Sequence, residues 1–212
     1  MKRRHGARMS TPMRPRWLVS FLPLLVMACS SGSGSAPAPT GSAVSKEDAA
    51  LAAAKSAAGK LGTQLRTRLT DAMNNGGAAN AIQVCSTEAH GISEQVAKET
   101  GAKVGRSSLK LRNPADAPPG WVQTWLVAQG DKKADATTGI EGVFDSPLGR
   151  VARFLKPIAI EGACLSCHGD PASLADPVKA TLAAKYPDDK ATGYQNGDLR
   201  GALWAEVPVA KK

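Results

Sequence analysis

Aromatic side chains are scarce in this sequence: four Trp, two Tyr and three Phe in 212 residues, about 4%. None of them lies between Phe21 and Trp121. The N-terminal half must therefore pack on small aliphatics, or on something the chain does not encode. No stretch reaches the roughly eighteen consecutive apolar residues of a membrane-spanning helix, so the mature chain is expected to have none. Acidic residues are absent from positions 1–28, which hold Lys2, Arg3, Arg4, Arg8, Arg14 and Arg16. Those six account for most of the formal +9: the other 21 basic residues against 18 acidic ones leave +3 over residues 29–212. A polyanion-binding surface, and with it a nucleic-acid partner, is not implied. Cysteine is limited to four residues, histidine to His5, His90 and His168, and Met73 is the only methionine beyond residue 27.

What is there begins with an export signal. The basic start runs into the apolar stretch Trp17–Met27 and then Ala28-Cys29. Such a run suits a signal-peptide core and is too short to span a bilayer. The small Ala28 before Cys29 resembles a bacterial lipobox, which implies cleavage before Cys29 and a diacylglycerol on its sulfur. Residues 30–45 are Ser, Gly, Ala, Pro and Thr apart from Val44, a composition that cannot bury enough to order itself. As a flexible coil this segment spans about 20–24 Å. The expected division is a signal peptide over 1–28, a tether over 29–45 and one folded domain over 46–212. The expected location is the periplasmic side of a bacterial envelope, with the membrane held through the lipid. Ser30 rather than an aspartate after the cysteine favours the outer membrane.

In the folded part, Ser45-Lys46-Glu47-Asp48 predicts a capped helix start. The helix runs to about Asn75, Gly76-Gly77 interrupts it, and a second helix follows to Thr100 before Gly101. The second carries an apolar stripe of Ile82, Cys85, Ala89, Ile92 and Val96 at helical spacing. Strands are predicted over 103–111, 141–145, 150–160 and 201–209, and short helices over 121–129 and 177–185. The fold class expected is α+β: a helical hairpin followed by an antiparallel sheet of four or five strands.

Cys164-Leu165-Ser166-Cys167-His168 is the CxxCH motif of c-type haem attachment. Two thiols add to the two vinyl groups of one porphyrin, and the histidine then lies under the iron as proximal ligand. A redox CxxC pair would sit in a βαβ unit, which the pattern lacks. A zinc site would have to recruit Cys85 or His90 from far upstream. One covalent haem c is therefore expected. For the opposite side of the iron the candidates are Cys85, His90, Met73 and water. Cys85 and His90 lie about 140° apart around their helix, so only one can face the haem. Cys85 is on the apolar stripe and His90 is off it. Arg106 and Arg112 are candidate partners of the haem propionates, against the plainer reading of solvated charges. Trp121, Trp125, Tyr194 and Trp204 either line the haem or fill the core, and core is favoured for most.

These segments together resemble a family of periplasmic c-type haem proteins with a PAS-like fold, a domain that also serves as the extracytoplasmic sensor of membrane histidine kinases. The marks are Ala81–Cys85, Val104–Ser108, Arg112-Asn113-Pro114, Trp121, Lys156-Pro157-Ile158, Cys164–Pro171, Tyr186–Tyr194 and Gly197–Gly201. The resemblance implies His/Cys ligation of the iron, which maps to His168 and Cys85. Val122 stands where an acid often follows the Trp, and His90 where a proline often stands, so His90 stays a rival ligand. Three activities follow from such a site. The first is a haem-based redox or gas-sensing module with an unseen redox or signalling partner. The second is a periplasmic electron-transfer protein. The third is a peroxidase-like enzyme with His90 as acid–base group.

Overall fold

The structure is a computed structural model that describes residues 44–147 and 149–210. The expected signal peptide, Cys29 and nearly all of the expected tether lie outside the described residues, as does Leu148 of the expected turn. The first element, α1, spans Lys46–Thr100 and is capped by Ser45, whose side chain accepts from the Asp48 N–H. Its middle breaks at Gly76-Gly77, where Gly77 takes φ +68°, a left-handed conformation that disfavours any residue with a Cβ. Asn80 Nδ2 donates to the Ala72 carbonyl across the break at 2.8 Å. Arg68 pairs with Glu88, and Lys60 with Glu99, so the two arms run back against each other as the expected hairpin.

Strands β1 (Lys103–Ser107), β2 (Ile140–Ser146), β3 (Gly149–Ala159) and β4 (Leu199–Pro208) form one antiparallel sheet in the order β1-β4-β3-β2. The α+β class expected from sequence is the one observed. Strand β1 stops four residues earlier than expected. The Ser108 hydroxyl takes both backbone groups of Lys110, accepting at 3.0 Å and donating at 3.1 Å, which turns the chain out of the sheet.

Both faces of the sheet are covered. On one, Ala54, Ala57 and Ala58 of the first α1 arm pack with Ala102 and Ala205, bordered by Val104, Phe154 and Val207. On the other, helix α2 (Gly120–Gln129) buries Val122, Trp125 and Leu126 against Leu155 and Ala202. The aromatic-poor N-terminal half does pack on small aliphatics. A third cluster joins the second α1 arm to helix α4 (Asp176–Lys185), through Ile82, Leu174, Val178 and Leu182. Helix α3 (Leu165–His168) is a single turn carrying the CxxCH motif, and Cys167 packs against that third cluster.

Candidate haem-attachment site

The motif is pinned where it leaves β3. Ile160 N–H donates to the Asp198 carbonyl at 2.9 Å, and Gly197 N–H returns to the Ile160 carbonyl at 2.8 Å. A 3-10 turn, Gly162–Cys164, follows with a reciprocal cap. The Cys164 N–H donates to the Glu161 backbone carbonyl at 2.9 Å, and Cys164 Sγ accepts from the Glu161 N–H at 3.4 Å. The next turn is α3, so Cys164 and Cys167, three residues apart, project to one side of the helical turn. Both thiols are half-buried and free. The motif ends on Gly169, where a Cβ would come 2.7 Å from the Leu165 carbonyl oxygen. A side chain there would push the turn open.

His168 is held by the loop between α4 and β4. Its Nδ1–H donates to the Ala191 carbonyl at 2.6 Å. A carbonyl can only accept, so the proton sits on Nδ1 and the Nε2 lone pair is left free. Tyr194 N–H donates to the His168 carbonyl at 3.0 Å, and the Tyr194 ring stands edge-on to the imidazole at 6.2 Å and 86°. Burial drives the imidazole pKa down to about 3, with Arg112, Arg200 and Arg106 acting the same way and the Ala191 bond opposing. The ring is therefore neutral at physiological pH, the form that binds a metal.

Arg112 occupies a clamp beside this ring. It donates from Nε to Asp189 at 3.1 Å, and from Nη2 to the Cys167 carbonyl at 2.6 Å and the Ala191 carbonyl at 3.4 Å. Both members of the Arg112–Asp189 pair are nearly buried, at 13% and 9% side-chain exposure. Arg112 is neither a solvated charge nor free to reach far, since it braces the motif backbone and the loop together.

The stripe on the second α1 arm points inward as expected. Ile82 and Val96 are buried, and Cys85, Ala89 and Ile92 are half-buried. Cys85 follows Ile82 by one turn on the arm that packs against α4 and Cys167. Burial pushes the Cys85 thiol up, opposed by Arg106, Arg68 and Arg112. Burial also raises Cys167, Arg112 opposes, and an ionised Cys85 adds to the rise, so the two sulfurs share one electrostatic environment. His90 is placed elsewhere. Its side chain is 59% exposed, its Nε2 pairs with Glu94 at 3.1 Å, and it borders a cleft of about 370 Å³ with Arg106, Asp116 and Trp204. Met73 lies in the first arm, shortly before the break. Arg106 on β1 pairs with Asp116 at 3.7 Å.

Trp125 is core and donates to the Thr138 carbonyl at 3.0 Å. Trp204 donates to the Ser107 hydroxyl at 3.0 Å and meets Trp121 edge-on at 6.0 Å. Only Tyr194 of the four aromatics touches the motif. Sequence reasoning missed Asp189, Ala191 and Arg200 as site residues. Their signal was their place inside the Tyr186–Tyr194 and Gly197–Gly201 segments, which carried the resemblance without roles. Among the described residues no three His, Cys, Asp or Glu side chains gather as a metal-holding group. Haem iron takes two axial ligands from the chain.

A family model described as Tll0287-like matches residues 39–208. A solved structure, the crystal structure of the cyanobacterial heme-protein Tll0287, is similar with a TM-score of 0.52 and 22% identity. The match covers 72% of this chain and 92% of that one. No curated protein matches.

Proposed function

The chain belongs to the Tll0287-like family, and on that premise we propose that it is a haem c protein of the bacterial envelope. One haem is attached through Cys164 and Cys167, with His168 as proximal and Cys85 as distal iron ligand. The observation that carries this is the state of His168. It is a neutral imidazole with its Nδ1 proton fixed on Ala191 and its Nε2 free, one residue beyond two unpaired thiols. Bound haem supplies a redox-active iron whose potential a thiolate ligand lowers.

The chain's own residues do the rest. The loop from Tyr186 to Asp198 keeps the imidazole from rotating, and Arg112 holds that loop to the motif. Cys85 must release its proton to bind iron. Burial makes this unfavourable in the free protein, and Arg106, Arg68 and Arg112 make it less so. In the free protein burial prevails, so Cys85 is held as the neutral thiol. It lies on an arm that the Gly76-Gly77 break sets apart from the arm packed on the sheet. A ligand that can leave, on a separately jointed arm, supports redox or gas sensing over electron transfer between two fixed ligands. A peroxidase role for His90 has less support, because its ring is paired with Glu94 on an exposed surface. Cys29 would carry the lipid, on the periplasmic face of the envelope and with the outer membrane favoured, and the signalling or redox partner is a separate protein.

Protein made with a cytochrome maturation system should carry the mass of one haem, lost in Cys164→Ser with Cys167→Ser. The ferric absorption spectrum should change in Cys85→Ala and stay intact in His90→Ala, and the ferrous protein should bind CO. Failure to bind CO with both ligands in place would make electron transfer the better account. Cys29→Ala should move the protein from the membrane to the soluble fraction without altering its spectrum.

A further inference from the structure

Three guanidinium groups act on the His168 ring, those of Arg106, Arg112 and Arg200. Two of them have carboxylates: Asp116 at 3.7 Å for Arg106 and Asp189 at 3.0 Å for Arg112. Arg200 has none among the described residues. Its Nη1 donates to the Lys110 carbonyl at 3.2 Å, its guanidinium lies over the Tyr194 ring at 5.5 Å, and its side chain also hydrogen-bonds with that of Tyr194. A second cation, Lys110 Nζ, also lies over that ring, at 4.8 Å. Tyr194 in turn stands edge-on to His168. The shell around the proximal histidine thus holds more positive charge than acid, and Arg200 is the half-buried member without a counter-ion. Burial disfavours its charged form, and although Asp116 attracts it from a distance, no carboxylate pairs with it directly, an arrangement that suits an anion from outside the chain.

We propose that Arg200, rather than Arg112, is the seat of a haem carboxylate, with Tyr194 as the platform that holds the guanidinium in place. This rests on the haem reading above. Arg112 is excluded as the main seat because Asp189 and two backbone carbonyls already occupy its Nε and Nη2. Arg200 retains N–H donors beyond its bonds to Lys110 and Tyr194, in the planar fork that suits a carboxylate. A paired propionate would also spread less negative charge toward the iron than a free one, so removing Arg200 should favour the ferric state.

The test uses the holoprotein and its Arg200→Gln and Arg200→Lys variants. Resonance Raman of the propionate bending region and a redox titration are read on each. Arg200→Gln should shift a propionate band and lower the midpoint potential. Arg200→Lys keeps the charge without the fork, so it should hold the potential nearer to wild type while still shifting the band. A propionate region unchanged in both variants overturns the proposal. So does a wild-type potential that responds to inorganic phosphate beyond the effect of equal ionic strength, with that response lost in Arg200→Gln, since the seat then takes a free anion. If Arg200→Gln does not accumulate, the band in Arg200→Lys alone decides. Absence of covalent haem in the wild type would instead refute the haem reading and is recognised first, by mass.

Discussion

The two ends of this domain are assembled by opposite means. The first α1 arm meets the sheet through methyl groups, with Ala54, Ala57, Ala58 and Ala205 fully or almost fully out of solvent. That buried layer carries no charge, and the two ion pairs between this arm and the sheet, Lys55 with Glu141 and Glu47 with Arg150, lie at its exposed margin. The motif end is held by polar contacts instead: Arg112 to Asp189 and two carbonyls, His168 to Ala191, and Tyr194 back to the His168 carbonyl. Dispersion and hydrophobic burial tolerate a small shift of one surface over another, whereas hydrogen bonds to a ring nitrogen do not. A site that must present Nε2 in one direction is therefore built from the second kind of contact and leaves the first to hold the frame.

The largest effect should come from breaking the polar end. Arg112→Ala strands the nearly buried Asp189 carboxylate and two carbonyls. The expected loss is about 3–5 kcal/mol, read as a fall of roughly 6–20 °C in the holoprotein Tm. Arg112→Met with Asp189→Leu removes the charges together and should recover much of that loss while leaving His168 less well aligned. A single-variant loss below about 1 kcal/mol would show that the clamp is ornamental to stability.

The apolar end should yield to size rather than to charge. Ala57 has no exposed surface and faces other alanines, so Ala57→Leu must force the arm off the sheet. A destabilisation of about 1–3 kcal/mol is expected by denaturant unfolding, with the haem spectrum unchanged. A spectral change at constant stability would mean that the first arm and the haem site are coupled, which would erase the contrast between the two ends.

That contrast also explains what the sequence made legible. The hairpin, the Gly76-Gly77 break and the inward stripe of Ile82, Cys85 and Val96 follow from spacing and glycine alone. The apolar layers repeat with the period of their elements, so they leave a pattern in the chain. The motif also showed, because covalent attachment fixes its residues in sequence. The support of His168 left no such trace. Its partner at Nδ1 is a backbone carbonyl, to which any residue at position 191 contributes equally. Asp189 lies 77 residues from Arg112, too far for any local rule to pair them. The early end of β1 was readable in principle, since Ser108 two residues before Lys110 is a turn-forming arrangement.

The smallest effect lies between the two ends, at Asp116, where the forces compete. Burial raises its carboxyl above the usual value near 3.8, while Arg106, Arg200 and His90 pull it down, and burial wins. With the folded value above the unfolded one, the folded state keeps a proton that the unfolded state has released. Stability contributed by this group is then present at low pH and falls as pH rises from the unfolded value through the folded one. Asp116→Asn removes that slope, so the wild type should lose stability relative to the variant across this acidic window. The difference should stay under about 1 kcal/mol, because the carboxyl remains part exposed and its ion pair with Arg106 is long. Urea unfolding at stepped pH on both proteins measures it. If the wild type instead gains on Asp116→Asn as pH rises, the Arg106 pair outweighs burial. The cleft beside β1 would then be governed by charge pairing, like the clamp at Arg112, and not by desolvation.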